Sequence, residues 1–195
     1  MPIKLNGATS GSVELGVPDV VGADVQNVLL PSTAGTLDRL ERAGNILQVV
    51  QGSTSTNVTV SNEAYTDTGL SATITPTNST SKILVIISQQ AQYYRSSNAQ
   101  GIGIRIFRDS TVIHTPNENS QGGLTDYMAA GGATSINRYI VYNRTLLDSP
   151  NTTNAVTYKT QGRPYLDIDS GECNFQNSSS VTNGTSYIQL IEVAA

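Results

Sequence analysis

The chain has 195 residues, which suits one domain of ordinary size plus an accessory segment, and only 13% of them are charged. The net charge of −4 and the lack of a basic cluster argue against nucleic-acid binding, which needs Lys and Arg to neutralise phosphates. One cysteine, Cys173, excludes an internal disulfide, and no apolar run approaches the length of a membrane span, so no membrane insertion is expected.

Residues 1–45 differ from the rest of the chain. Short apolar alternations, such as Val13 with Leu15, are separated by glycines and prolines, and none is long enough for a strand of a compact core. We predict an extended attachment segment that gains order by lying against neighbouring molecules.

The end of this segment, Leu37–Ala43, has Leu37 and Leu40 on one side and charged residues around them. Gly44 follows directly, at the position of the glycine that commonly ends a helix. Seven residues cannot hold a helix alone, although a bundle of identical copies could. The stretch is therefore either a short helix or a linker turn.

From Ile46 onward the pattern is that of β-strands. Alternating or apolar runs are separated by turn residues at short spacing, and no helix of any length is indicated. Gly69 is expected to mark a bulge or kink. The predicted strands are Ile46–Gln51, Tyr65–Thr75, Lys82–Ala91, Gly101–Arg108, Thr111–His114, Leu124–Ala130, Ser135–Leu147, Ala155–Thr160, Tyr165–Ile168, Cys173–Gln176 and Tyr187–Val193, and Thr54–Thr59 is either a hairpin or a strand. Alternation puts Ile102, Ile104 and Ile106 on one face of their strand. It likewise separates Ile140, Tyr142 and Leu146 from Tyr139, Val141 and Leu147 on the two faces of Ser135–Leu147. The fold class is all-β, an antiparallel β-sandwich that resembles a jelly roll and spans residues 46–195.

The run Lys82–Ala91 is predicted to be the central strand, since it holds five consecutive aliphatic residues, Ile83–Ile87. A strand that is apolar at every position must be covered on both faces, whereas one face of a sandwich sheet normally meets solvent. Tyr187–Val193 repeats the pattern more weakly. We therefore expect both strands to be central and their second face to be covered, most simply by another copy of the chain.

Three parts of the sequence resemble a known family, namely the opening, the first part of the sandwich and the ending. The opening GATSGSVELGVPDV and NVLLPSTAGTLDR resembles the leader of bacteriophage tail-fibre and virion proteins, where G-S-V-x-L-x-x-P precedes L-P-x-x-x-G-T-L. The block YTDTGLSATITPTNSTSKILVIIS and the ending SYIQLIEV are similar to the β-sandwich that follows such leaders, especially in phages of marine bacteria and cyanobacteria.

The resemblance implies a homotrimeric fibre located in the virion. Residues 1–45 would dock to other virion proteins, and residues 46–195 would form a knob at the host surface. Since no long shaft is present, this would be a short tail fibre or spike. The alternatives are a capsid decoration or vertex fibre of the same fold and, from another class, a polysaccharide-processing enzyme.

Host contact, including contact with a cell-surface glycan, is predicted in two loops. Tyr and Arg are enriched at binding hot spots, and loops carry function on a rigid scaffold. If the strands alternate in direction as predicted, both loops lie at the same end of the knob. The candidate residues are Tyr93, Tyr94, Arg95 and Asn98 in the first loop, and Asn117, Glu118, Asn119 and Gln121 in the second.

Catalytic, metal and cofactor sites are not assigned. The single histidine, His114, has no G-x-S-x-G nucleophile motif to serve, and we expect no enzyme and no cofactor. Asp167, Asp169 and Glu172 resemble the opening of a calcium loop but lack its third carboxylate and distal glutamate. Cys173 has no basic neighbour that would lower its pKa, so an inert thiol is expected.

Overall fold

A computed structural model of the protein describes residues 3–6, 12–15, 42–95, 99–116, 123–129, 135–165, 171–176 and 184–195. The chain divides into two compact units, Met1–Asp38 and Arg39–Ala195. The division predicted from the sequence lies a few residues later, between residues 45 and 46.

The described residues form strands joined by turns, and they include no helix. In particular, no described helix is long and apolar enough to cross a membrane. The strands are β1 (Ile3–Asn6), β2 (Ser12–Leu15), β3 (Ile46–Thr54), β4 (Val58–Val60), β5 (Thr66–Ile74), β6 (Lys82–Arg95), β7 (Gln100–Arg108), β8 (Thr111–His114), β9 (Asp126–Met128), β10 (Ile136–Asp148), β11 (Val156–Pro164), β12 (Glu172–Phe175) and β13 (Ser186–Val193).

The first unit contains one described feature, an antiparallel pairing of β1 with β2. This pairing is more regular than the extended segment predicted for residues 1–45. Of the predicted helix or linker turn Leu37–Ala43, all but Arg42 and Ala43 lie outside the described residues. Ala43 and Gly44 form a turn, and Gly44 has a φ of 90°, a backbone conformation that glycine adopts without strain.

The second unit is an antiparallel β-sandwich, which confirms the predicted fold class. Its larger sheet has six strands in the order β3-β13-β6-β12-β4, and β10 pairs with the other edge of β6. The smaller sheet has five strands in the order β5-β11-β7-β8, with β9 also paired to β7. Every recorded strand pair is antiparallel.

The predicted central strand is confirmed as β6, which has neighbours along both edges. β13 and β12 pair with successive parts of one edge, and β10 runs along the other. The odd-numbered residues Ile83, Val85 and Ile87 are fully buried between the sheets. Leu84 and Ile86 lie on the opposite face and are half-buried. Within one chain, therefore, only one face of the strand is fully covered.

Two other predicted alternations are also confirmed. In β7, Ile102, Ile104 and Ile106 are each 0% exposed and form part of the core. In β10, Tyr142 is buried in the core with Ile140 and Leu146 packed against it, and Tyr139, Val141 and Leu147 are exposed on the other face. The reason is the two-residue period of a strand, which places alternate side chains on opposite faces.

The predicted bulge at Gly69 is confirmed. Lys159 of β11 pairs with Ser71, and Gln161 pairs with Asp67, so three residues of β5 lie opposite the single residue Thr160. Gly69 itself has a φ of 82°. A short strand predicted at Tyr165–Ile168 is not found at its described end, because β11 ends at Pro164 and Tyr165 lies in a bend.

Candidate functional site

Tyr93 and Tyr94, two of the predicted contact residues, point to opposite faces of the larger sheet. Tyr93 is 0% exposed and lies in the core beside Cys173, its partner in β12. Tyr94 is half-buried on the other face, opposite Asn137 of β10 and Glu172 of β12. A fully buried side chain cannot touch a ligand, so Tyr93 is removed from the predicted contact set.

The hydroxyl of Tyr93 is part of a polar network that ties three strands together. It donates to Asp126 Oδ2 of β9 at 3.1 Å, and Arg138 Nε of β10 lies 2.7 Å from the same oxygen. Burial, followed by the negative charge of Asp126, raises the pKa of Tyr93, which keeps the hydroxyl protonated. This network is structural, since it joins β6 and β10 of the larger sheet to β9 of the smaller sheet.

Most of the other predicted contact residues lie outside the described residues, namely Asn98, Asn117, Glu118, Asn119 and Gln121. For Arg95, only the backbone position at the end of β6 is described. The first loop joins the end of β6 to the start of β7. The second loop begins after His114, which pairs with Ile106 of β7. It ends at Gly123, whose carbonyl oxygen lies beside Gly103 of β7. Its two described ends therefore lie beside the middle of β7.

The acidic pattern near residue 170 is only partly described. Asp167 and Asp169 lie outside the described residues, and Glu172 begins β12, where its carboxylate accepts a hydrogen bond of 3.0 Å from Asn174 Nδ2. Among the described residues, no three potential metal ligands lie together.

The most distinctive surface is the face of the larger sheet that points away from the smaller sheet, across strands β10, β6, β13 and β3. The strand registers align four aliphatic side chains in one row, in which Leu147, Leu84, Ile191 and Val49 are successive neighbours. Leu147 is 55% exposed and Val49 is 60% exposed. We call this surface the outer face, and its members are Val49, Gln51, Ser53, Leu84, Ile86, Ser88, Gln90, Tyr139, Val141, Asn143, Thr145, Leu147, Tyr187, Gln189 and Ile191.

The fifteen members of the outer face are all uncharged, although Lys82, at the start of β6, points to the same side of the sheet beyond them. Eight large hydrophobic side chains are exposed in the described part of the chain, and five of them belong to this face. These are Val49, Tyr139, Val141, Leu147 and Tyr187. Contiguous exposed apolar surface of this kind marks interaction sites in soluble proteins.

Cys173 is in the environment expected of an inert thiol, and His114 lies at the end of a strand. Cys173 is buried in β12, and burial, followed by the nearby charge of Glu172, raises the pKa of its thiol, so the reactive thiolate is disfavoured. His114 ends β8 and is half-buried. Burial, followed by the charge of Arg144, lowers the pKa of His114, so the imidazole is neutral at pH 7.

The full extent of the outer face is not predicted by the sequence. The doubly apolar run of the central strand indicates Leu84 and Ile86, and alternation in β10 puts Tyr139, Val141 and Leu147 on one face. Uncharged residues at alternate positions of β3 and β13 were a further signal. These residues form one surface only because the strand registers place β10, β6, β13 and β3 side by side.

Comparison with known proteins adds little at the level of sequence. No protein-family model matches the chain, and no curated protein matches it. Solved structures of VP2 from infectious bursal disease virus match over most of this chain. A D431N mutant VP2 in T=1 particles has 15% identity and a TM-score of 0.34, covering 97% of this chain and 40% of that chain. A VP2 subviral particle has 15% identity and a TM-score of 0.35, covering 98% and 46% respectively.

The chain therefore spans less than half the length of these VP2 chains. A TM-score of 0.34 or 0.35 is too low to carry an argument about fold or function.

Proposed function

We propose that the protein is a non-enzymatic structural component of a phage virion, a short trimeric tail fibre or spike. Residues 1–45 attach it to other virion proteins, and the sandwich contacts the host surface. Two observations support the proposal, namely the leader that resembles those of tail-fibre and virion proteins, and the outer face. The exposed apolar side chains of the outer face are the observation that supports a trimer.

The occupant of the outer face is the same face of other copies of this chain. A charged partner would bury its charges against the fifteen uncharged side chains of this face, which is costly. Identical copies bring only aliphatic, hydroxyl and amide groups together. In such an assembly, the half-buried Leu84 and Ile86 become fully buried, so that both apolar faces of β6 are covered.

The outer face supplies part of the contact area that a trimer needs. Four strands about 4.8 Å apart, followed over eight residues, present about 500 Å² per copy. Three copies that meet on a threefold axis would bury about 1,500 Å² in total, or about 500 Å² at each of the three pairwise contacts. A specific interface between two partners buries about 1,200–2,000 Å², so other parts of the chain must add to the trimer contact.

Light scattering of the purified protein is expected to give the mass of a trimer. Replacing Val49 and Leu147 with lysine should dissociate it, because each substitution places a charge in an apolar contact. Unpaired buried charges cost several kcal/mol each, so association should weaken at least about 100-fold. Both side chains are more than half exposed in the single chain, so its folding should tolerate the changes.

The matched control for this experiment is Val112→Lys. Val112 is 40% exposed and lies on β8 of the smaller sheet. This variant should keep the mass of the wild type. A wild-type protein that remains monomeric at micromolar concentration, or equal dissociation by Val112→Lys, would rule out the outer face as the trimer contact.

Host contact is proposed for Tyr94, Arg95 and the two loops that follow β6 and β8. Replacing Tyr94 and Arg95 with alanine should weaken adsorption of the virion to host cells. Each polar contact contributes about 1 kcal/mol, or about fivefold, and three copies bound together amplify the loss. Virion adsorption measured beside the melting temperature of the isolated protein tests this.

The control for the adsorption experiment is Lys82→Ala, which removes an exposed side chain at the opposite end of β6. Adsorption should then be unchanged. If the Tyr94 and Arg95 variant also adsorbs normally, host contact lies elsewhere. If its melting temperature falls steeply, these residues serve packing instead.

A further inference from the structure

The strand registers order the outer face into rows that run across β3, β13, β6 and β10. Each row begins on β3, passes through one residue of β13 and one of β6, and ends on β10. Counted from the start of β6, the first three rows have as their ends Val49 and Leu147, Gln51 and Thr145, and Ser53 and Asn143.

The two ends of each row match in chemistry. Val49 and Leu147 are aliphatic, and they are 60% and 55% exposed, whereas the two members between them are half-buried. The ends of the second and third rows each combine an amide with a hydroxyl, groups that donate hydrogen bonds to each other and accept them. The exposed end of a row on β3 therefore complements its exposed end on β10.

The strand directions allow a neighbouring copy to use this complementarity. β3 runs antiparallel to β13, β13 to β6 and β6 to β10, so β3 and β10 run in opposite directions. Rotation about an axis parallel to the strands keeps every row at its own height. β3 of one copy then lies antiparallel to β10 of the next copy, and each row meets the other end of the same row.

The width of the outer face fits three copies around such an axis. Four strands about 4.8 Å apart make a face about 19 Å wide. Three faces of that width stand about 5.5 Å from the axis, which is close to half of the spacing of about 10 Å between packed sheets. Four faces would stand about 9.5 Å from the axis and leave an open channel between their side chains.

We propose that the three copies meet around an axis parallel to β6, with β3 of each copy against β10 of the next and Val49 against Leu147. Contacts of this kind, between unlike edges, close into a ring of three. The inference rests on the proposed trimer and names the residues that meet in it. The edges of β3 and β10 also enter the contact, which adds area beyond the outer face.

The ring leaves the nearest charge in water. Lys82 precedes the first row, at the start of β6, and its side chain is exposed. Three copies of Lys82 therefore lie at the open end of the ring, where their ammonium groups stay hydrated and no charge is buried in the aliphatic row.

Cysteine crosslinking of the full chain tests the contact. The single native cysteine, Cys173, is buried, so thiols introduced at the surface react first. A variant with Val49→Cys and Leu147→Cys is treated with a short bismaleimide and analysed on a denaturing gel. A covalent trimer is expected, because within one chain the two positions are three strand spacings, about 14 Å, apart and cannot be joined to each other.

The controls use the same two strands. Val49→Cys alone should give no covalent oligomer, since like positions of neighbouring copies are about 19 Å apart around the ring. Val49→Cys with Asn143→Cys should give at least about tenfold less covalent trimer, because the two rows between these positions separate them by about 13 Å. Ser53→Cys with Asn143→Cys restores the match and should give the trimer again. This second matched pair replaces no aliphatic residue, so it keeps the apolar contact intact.

Light scattering of the wild type, measured beside the crosslinking, separates this inference from the proposed function. A trimeric mass, with covalent trimer from at least one matched pair and little from the mismatched pair, supports the ring. A trimeric mass with covalent trimer from neither matched pair, or with equal crosslinking by the mismatched pair, overturns the ring and leaves the trimer standing. A monomeric wild type, or crosslinking that stops at a dimer, overturns the trimer and the ring together.

Discussion

Replacing Gly52 with alanine is expected to cause a large loss of stability. Gly52 lies in β3, and a Cβ atom built there would stand 2.1 Å from the carbonyl oxygen of Ser71 and 3.0 Å from the Cβ of Ala72. Both atoms belong to β5 in the opposite sheet. The near contact is with backbone, which no rotamer change relieves, so the two sheets must separate locally.

The expected cost is about 3 kcal/mol of unfolding free energy, at the upper end for overpacked interiors. For a domain of this size, the melting temperature should fall by about 6–12 °C in a thermal scan. Ser53→Ala is the matched control, because Ser53 neighbours Gly52 in sequence and is exposed on the outer face. A Gly52→Ala variant that melts within about 2 °C of the wild type would show that the sheets are not held this close.

Replacing Glu192 with alanine is expected to have an effect of similar size. Glu192 is 0% exposed at the end of β13. Its Oε1 accepts hydrogen bonds from the backbone N–H of Thr77 at 2.8 Å and from the hydroxyl of Thr77 at 2.7 Å, and its Oε2 accepts one from Gln48 Nε2 at 2.5 Å. Alanine would remove the acceptor of three donors. Since hydrogen bonds to charged groups contribute about 1.5–3 kcal/mol each, a total loss of about 3 kcal/mol or more is expected.

The same carboxylate predicts how stability depends on pH. Burial alone would raise the pKa of Glu192, but the hydrogen bonds from Gln48 and Thr77 outweigh it, and the pKa is lower than its ordinary value. The ionised form is therefore favoured by folding. This contribution is fully present above the unfolded pKa of about 4.3 and is lost as the pH falls through the folded value.

Urea unfolding at pH 7 and in steps below pH 4.5 would measure both effects. The difference in unfolding free energy between wild type and Glu192→Gln should be largest at neutral pH and should shrink as the pH falls. Glu63→Ala, at an exposed turn, is the matched control and should track the wild type. A difference that does not change with pH would show that the charge of Glu192 is not what the fold uses.

The candidate site could be predicted only in part. The run Ile83–Ile87 indicated a strand with two apolar faces, and alternation in β10 separated Tyr142 from Tyr139 and Val141. Tyr93 was expected at the surface because it follows the apolar run, among polar residues. β6 continues as a strand through Tyr93, however, so this odd-numbered residue points into the core beside Cys173. The continuation depends on pairing with β10 and β12, which are distant in sequence.

The sequence by itself determined the all-β class, the central position of β6 and β13, the bulge at Gly69 and the two faces of β10. These features follow from the two-residue period of strands and from the backbone freedom of glycine, which are local properties. Only the tertiary structure decided the row from Leu147 to Val49 and the close approach at Gly52. Each of these joins residues far apart in the chain, and strand order and register fix such contacts through packing between sheets. The alternation within any one strand is the same whichever neighbour it pairs with.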